Sequence, residues 1–419
     1  MKTGWILAAV GASLLSSIAV AQLALPSGGL PRVNLQKLPI NLNDIDKVSQ
    51  ERLGSVLEQA RIDRLTRFVR INRDAVEIDS DRYPAVRGQL LATGVSEQMV
   101  AQAQQKGFRL LSRDQIDGLD LSYVRFATPA QMSLREAEIA LQQILPDADI
   151  DVDHIYFQSS AVSLPAVGSR ATTTGLTAAL GIIDGGVANH PSVRGRVEQN
   201  GFAIGAPSAS SHGTAVAALM IGVGEVKGAR SGANLLAADV YGTDKAGGNA
   251  SAIARALGWL AGRGVSVVTI SLVGPPNVLL KNAIAASQRK GVIIVAAVGN
   301  DGPAAPPAYP ASYIGVIGVT GVDSRNRALP EAGRATRIDF AAPGADIISA
   351  LGANGRDKVR GTSFAAPLVA AHLSTFYPRQ SPDAVEPAVR QLMAEAVDLG
   401  KKGYDPVYGH GLVCGNCGR

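Results

Sequence analysis

Four runs dominated by apolar residues, Ala179–Ile183, Leu235–Val240, Val265–Leu272 and Val292–Val298, constrain what this chain can fold into more than any other feature. A strand exposed on one face alternates apolar and polar residues, whereas a strand that is apolar on both faces is covered on both. Stretches with helical spacing at 213–222, 250–263 and 277–290 separate the runs. Strands alternating with helices predict an α/β unit, a parallel sheet flanked by helices. Its functional side chains then belong at the carboxyl ends of the strands.

The sequence before this unit has a different rhythm. Val48, Leu53, Val56, Leu57, Ala60, Leu65 and Phe68 recur at three- and four-residue steps, so Asp44–Val69 reads as an amphipathic helix within a lead-in that spans 22–84. Between 85 and 158 the order is strand (Gln89–Ala92), helix (Ser96–Lys106, stopped by Gly107), two strands (Phe108–Leu111 and Leu121–Phe126), helix and strand (Asp149–Phe157). Ser133 and Glu136 form a capping-box pattern that opens the second helix. That β-α-β-β-α-β order predicts a small α+β unit of ferredoxin-like topology. Residues 159–174, rich in Ser, Thr, Pro and Gly, read as a linker, 175–413 as the larger domain and 414–419 as a tail.

The chain opens with Met1-Lys2, an apolar block from Trp5, and the small-x-small ending Ala19-Val20-Ala21, the pattern of an export signal removed after Ala21. No later run is long enough to span a bilayer, so the expectation is an exported protein, secreted or periplasmic, with no stable membrane span once the signal is gone. A net charge of +5 spread over 419 residues, with 5% aromatics, offers neither a phosphate-tracking surface nor a stacking platform. Nucleic acid is therefore excluded as the expected partner. The two cysteines, Cys414 and Cys417, are too few for a zinc ribbon and lack a thioredoxin-like setting, which leaves a structural disulfide or an idle pair.

Three short motifs fall where the larger unit should keep its chemistry: Ile182-Ile183-Asp184-Gly185-Gly186-Val187 at a strand end, His212-Gly213-Thr214 at a helix start, and Gly361-Thr362-Ser363-Phe364-Ala365-Ala366-Pro367 at another. Alone, each residue has a plain structural explanation: a turn Asp, a satisfied His, an N-cap Ser. Together, in the chain order Asp, His, Ser, they resemble the subtilisin-like serine protease family over 175–413. The resemblance implies Ser363 as nucleophile, His212 as its base and Asp184 as the group that holds the imidazole. It implies the same α/β fold, peptide-bond hydrolysis by an Asp-His-Ser triad, and no cofactor and no metal in the chemistry.

Further segments fit the same resemblance. Val295-Ala296-Ala297-Val298-Gly299-Asn300 looks like the family's strand that ends in the oxyanion-hole Asn, which assigns that role to Asn300. Ser271, Leu272, Val273 and Gly274 match the segment that pairs with substrate backbone and walls the pocket for the residue before the scissile bond, and Ala308 matches its floor. Gly247 and Gly248, before Asn249, match an edge that accepts an extended peptide by strand addition. Where relatives carry a calcium loop, Gly222–Gly232 is short and holds Lys227 and Arg230, which argues against calcium there. Tyr404–Gly411 resembles the segment that closes the family's catalytic domain. The whole reads as an exported, self-processing endopeptidase precursor that acts on polypeptides, with its own N-terminal domain as intramolecular inhibitor. The rival is an inactive peptide-binding relative whose N-terminal domain never leaves the cleft.

Overall fold

The computed structural model describes residues 50–159 and 173–417. Residues 1–49, with the expected export signal, the lead-in and the first residues of the expected Asp44–Val69 helix, the linker residues 160–172 and the last two residues lie outside them.

Helix α1 (Gln50–Ile71) leads into the N-terminal unit: β1 (Val76–Ile78), β2 (Pro84–Thr93), α2 (Glu97–Gln105), β3 (Arg109–Ile116), β4 (Leu121–Ala127), α3 (Leu134–Ile144) and β5 (Asp149–His154). The sheet order β5-β2-β4-β3, antiparallel throughout, is the ferredoxin-like order expected from the element sequence. Ser96 caps α2 by accepting from the Met99 N–H, and Gly107, at φ +92°, ends it. Ser133 and Glu136 complete the capping box on α3. One strand went unforeseen: β1 pairs with the start of β2. The run expected as one strand to Phe157 also breaks after His154, and β6 (Phe157–Gln158) leaves this sheet for the second unit.

The second unit contains β7 (Leu180–Asp184), β8 (Gly186–Val187), β9 (Val197–Gly201), β10 (Ala209–Ser210), α4 (Ser211–Ile221), β11 (Leu235–Asp239), α5 (Ala250–Gly262), β12 (Val267–Ile270), β13 (Leu272–Val273), α6 (Val278–Arg289), β14 (Ile293–Ala297), β15 (Ile317–Val322), β16 (Phe340–Pro343), β17 (Ile347–Leu351), β18 (Gly355–Val359), α7 (Thr362–Leu373) and α8 (Val385–Glu395). Seven strands form one parallel sheet in the order β16-β15-β14-β12-β7-β11-β9. Helices α4 and α7 pack one face and α5 and α6 the other, so β7, β11, β12 and β14 are buried throughout. Strand order reverses on either side of β7. The crevice of such a switch point opens at its carboxyl end, where Asp184 stands.

The N-terminal sheet turns one face to α2 and α3 and the other to the second unit, where Leu91, Ile116, Leu119 and Tyr123 join one core with Ile253, Leu257 and Leu280. Strand β5 also satisfies helix ends across the boundary. Asp153 accepts from the Ser251 N–H and hydroxyl at the start of α5, and Asp151 accepts from the Val278 N–H at the start of α6. Each carboxylate meets orphan amides at the positive end of a helix dipole. At the other end of the chain, Val413 N–H donates to the Ala341 carbonyl on the edge strand β16, and Cys414 and Cys417 are joined in a disulfide.

Candidate active site

The three motif residues come from three different elements: Asp184 closes β7, His212 is in the first turn of α4, and Ser363 is in the first turn of α7. All are buried. The α4 entrance is held tightly, because a Cβ on Gly213 would lie 2.1 Å from the Gly185 carbonyl oxygen, a distance no side chain tolerates. That contact seats the first turn of α4 directly on the end of β7. Ser210 caps the helix by accepting from the Gly213 N–H.

Pro367 shapes the nucleophile end. It sits inside α7 without an N–H, so the carbonyl four residues back, that of Ser363, has no intrahelical donor. The Ser271 hydroxyl donates to that carbonyl instead, at 2.9 Å. Before the helix, Gly361 takes φ +138°, a backbone region that favours glycine.

Asp184 and His212 are joined through both carboxylate oxygens. His212 Nδ1 lies 2.9 and 2.8 Å from the two Asp184 carboxylate oxygens. A carboxylate oxygen accepts, so Nδ1 is the donor, and in the neutral imidazole this tautomer leaves the lone pair on Nε2. The Gly185 N–H, at 2.7 Å, and Gln158 Nε2, at 3.0 Å, also donate to Asp184 Oδ1. Asn300 follows β14, and its Oδ1 accepts from the Thr362 N–H at 3.0 Å, which turns its amide nitrogen away from that helix end. His212 Nε2, Ser363 Oγ and Asn300 Nδ2 are all buried and have no hydrogen-bond partner among the described residues. A base lone pair, a hydroxyl and an amide donor therefore stand unengaged within one site. Buried polar atoms without partners are rare away from sites that receive a ligand.

The cleft beside them holds an extended segment of the same chain. Phe157 and Gln158 pair antiparallel with Val273 and Leu272, and the Ser159 N–H donates to the Ser271 carbonyl at 3.3 Å. On the opposite edge, Ile155 bridges Asn249 and the Tyr156 N–H donates to the Gly248 carbonyl at 2.8 Å. Ser271, Leu272, Val273 and Gly248 thus border this segment of the same chain. Gly247 does not bond the segment; its N–H closes a turn on the Asp244 carbonyl. Gly274 pairs instead with Tyr309, next to Ala308. Val273 and Ala308 face one small cavity of about 50 Å³ together with Gly299, and α1 covers its mouth with Arg61, Arg64 and Leu65. Arg64 forms an ion pair with Asp301 there at 2.8 Å.

Sequence reasoning missed Tyr156, Gln158 and Ser159 as residues of this site, because it read them as strand and linker. The other four histidines serve elsewhere: His190 bonds Ser192, His372 pairs with Glu395, His154 pairs with Asp79, and His410 Nε2 meets the Arg337 guanidinium. Among the described residues no cluster of His, Cys, Asp or Glu could hold a metal, and Arg230 donates to Ser374 Oγ.

This architecture defines a parallel-sheet hydrolase with Asp, His and Ser at one switch-point crevice. The profile of the Subtilase family (Peptidase S8) matches residues 175–411, and the chain belongs to that family. It is 30% identical over 299 residues to the alkaline protease of Alkalihalobacillus alcalophilus, covering 68% of this chain and 76% of that one. Subtilisin BL of Lederbergia lenta is 32% identical over 265 residues, 61% of this chain and 94% of the relative. Among solved structures, fervidolysin of Fervidobacterium pennivorans, a keratinolytic enzyme related to subtilisin, shares the fold at a TM-score of 0.64 and 20% identity, over 81% of this chain and 61% of that one. The protein is a subtilisin-like serine endopeptidase that acts on polypeptides. Among the described residues no helix is long and apolar enough to cross a membrane.

Proposed function

We propose that this chain is the exported precursor of a serine endopeptidase in which Ser363 is the nucleophile, His212 its base, Asp184 the residue that orients and stabilises the imidazolium, and Asn300 a donor to the oxyanion. One observation carries the reading. Among the described residues His212 Nε2, Ser363 Oγ and Asn300 Nδ2 are buried and unpartnered, at the end of a cleft that already holds an extended peptide segment. In the reaction Ser363 Oγ attacks the carbonyl carbon as His212 Nε2 takes its proton. Asn300 Nδ2 then meets the negative oxygen, and His212 returns the proton to the leaving amine. Water, activated by the same nitrogen, releases the acyl group. Ser271, Leu272, Val273, Gly274, Gly248 and Ala308 bind substrate backbone and shape the first pocket; no cofactor enters.

The N-terminal unit is an intramolecular inhibitor that delivers its own last strand to the cleft. The chain cuts itself between Phe157 and Gly175, which frees the enzyme beginning within the linker. Incubating purified precursor and its Ser363→Ala form tests both statements by intact mass. The wild type should split within that window and the variant should stay whole; a wild-type chain that remains uncut yet hydrolyses casein at full rate contradicts the inhibitor reading.

A further inference from the structure

The segment in the cleft differs in what holds each of its side chains, and the difference follows the two-residue alternation of a strand. Ile155 and Phe157 face the N-terminal unit, where they pack with Leu65 and Phe68 of α1; the Phe157 and Phe68 rings meet edge to face at 5.1 Å. Tyr156 and Gln158 face the other way and are bound by the catalytic unit itself.

Tyr156 is fully buried. Its hydroxyl donates to the Pro275 carbonyl at 2.7 Å, and its own carbonyl accepts from the Tyr241 hydroxyl at 2.8 Å. The ring lies flat against Gly274, where a Cβ would come within 2.7 Å of it. This is a slot of fixed depth with a hydrogen-bond acceptor at its end. Gln158 reaches Asp184 Oδ1, one of the carboxylate oxygens that holds His212. Ser159, whose N–H and hydroxyl both donate to the Ser271 carbonyl, is the residue level with Ser363, because Ser271 in turn donates to the Ser363 carbonyl.

We propose that this segment is a template for the substrate: the processed enzyme selects polypeptides with Tyr three residues before a small scissile residue and Gln immediately before it, and the precursor opens the peptide bond on the carboxyl side of Ser159. The inference rests on the catalytic reading of the site given above. Three recognition elements carry the selectivity. The Pro275 carbonyl reads the tyrosine hydroxyl, Gly274 admits the ring, and Asp184 Oδ1 reads the glutamine amide. The position between Tyr and Gln is not read by the catalytic unit, because its occupant here is held chiefly by α1. In the self-cut, water adds across one C–N bond, leaving a carboxylate on Ser159 and an amine on the residue after it.

The test uses mature enzyme from the wild-type precursor and quenched peptides that carry Tyr-Phe-Gln-Ser before the scissile bond, with casein as a sequence-indifferent control. Replacing Tyr by Ala should lower kcat/KM about a hundredfold, as for loss of a buried aromatic. Replacing it by Phe should cost about 2- to 10-fold, the worth of one neutral hydrogen bond. Gln replaced by Met, similar in size but without a donor, should cost about tenfold or more, since the lost bond is to a carboxylate. Replacing Phe by Ala should change kcat/KM by less than about threefold. Intact mass of the released N-terminal fragment should end at Ser159. Casein hydrolysis with no discrimination at the Tyr and Gln positions, or a fragment ending elsewhere, overturns the template while the endopeptidase stands. Hydrolysis of neither casein nor peptides overturns the catalytic reading itself.

Discussion

The amide of Asn300 has two ends with two different tasks, and substitutions can separate them. Its Oδ1 accepts from the Thr362 N–H at 3.0 Å, a structural bond at the start of α7. Its Nδ2 is buried and, among the described residues, unpartnered, which leaves it for a developing oxyanion. Asn300→Leu removes both. It leaves the Thr362 N–H without its acceptor, which costs about 1–3 kcal/mol, or a fall in Tm of about 2–12 °C for a unit of this size. It also removes the oxyanion donor, which costs about 2.7–4 kcal/mol in the transition state, or a 100- to 1000-fold loss in kcat. Asn300→Asp keeps the acceptor for Thr362 and replaces only the donor with an oxygen. Its Tm should stay within about 2 °C of wild type, while kcat falls at least as far as in the Leu variant, because a carboxylate repels the oxyanion. KM should move less than about threefold in both, since the bond strengthens only when charge develops. Steady-state kinetics on one peptide and calorimetry on the same preparations give both numbers. An Asn300→Asp enzyme that retains more than about a tenth of wild-type kcat with unchanged Tm would refute the oxyanion role.

Other outcomes follow from the same geometry. Val273→Gly should widen the cavity it shares with Ala308 and raise kcat/KM for a Phe peptide relative to a Leu peptide by about 5- to 150-fold, the range that overpacking costs; an unchanged ratio would remove Val273 from the pocket. Phe68→Ala deletes a buried ring that packs on Phe157, so the inhibitory unit should loosen by about 3–5 kcal/mol. Activity should then appear sooner after processing, and an unchanged time course would mean that α1 does not restrain the segment. Burial works against charge on His154, but its bond to Asp79 and the charges of Asp151, Asp79 and Asp153 outweigh it and raise its pKa. A raised folded pKa gives stability that is fully present below the ordinary His value and is lost as pH rises through the raised one. The N-terminal unit should therefore release more readily from neutral toward alkaline pH, and His154→Gln should flatten that dependence in a pH series of fragment co-elution.

The sequence exposed the parts of this molecule whose signals are local. The helical spacing at 250–263 and 277–290 marks α5 and α6, whose Asn249 and Asn277 caps the structure adds, and the buried strands stand out because their runs have no polar face. Strand β9, Val-Glu-Gln-Asn-Gly, stayed hidden since an edge strand needs no apolar run, and β15 is interrupted by Gly318 and Gly321. The triad candidates were legible because three motifs carry them. The cleft segment was not, since the turn of the chain between His154 and Phe157 out of one sheet and onto β13 depends on where the other unit sits. Nor could the sequence show that α1 lies over Asp301 and the pocket mouth, a contact that spans more than half the chain.

The most direct measurement is covalent labelling of the mature protein with a serine-directed fluorophosphonate, followed by peptide mapping and a parallel casein assay. The account predicts one adduct, on Ser363, and loss of both label and hydrolysis in Ser363→Ala, with activity down about a million-fold as expected when a residue of a cooperating triad is removed. A Ser363→Ala protein that still hydrolyses casein at more than trace rate, or an adduct on a different serine, would contradict it.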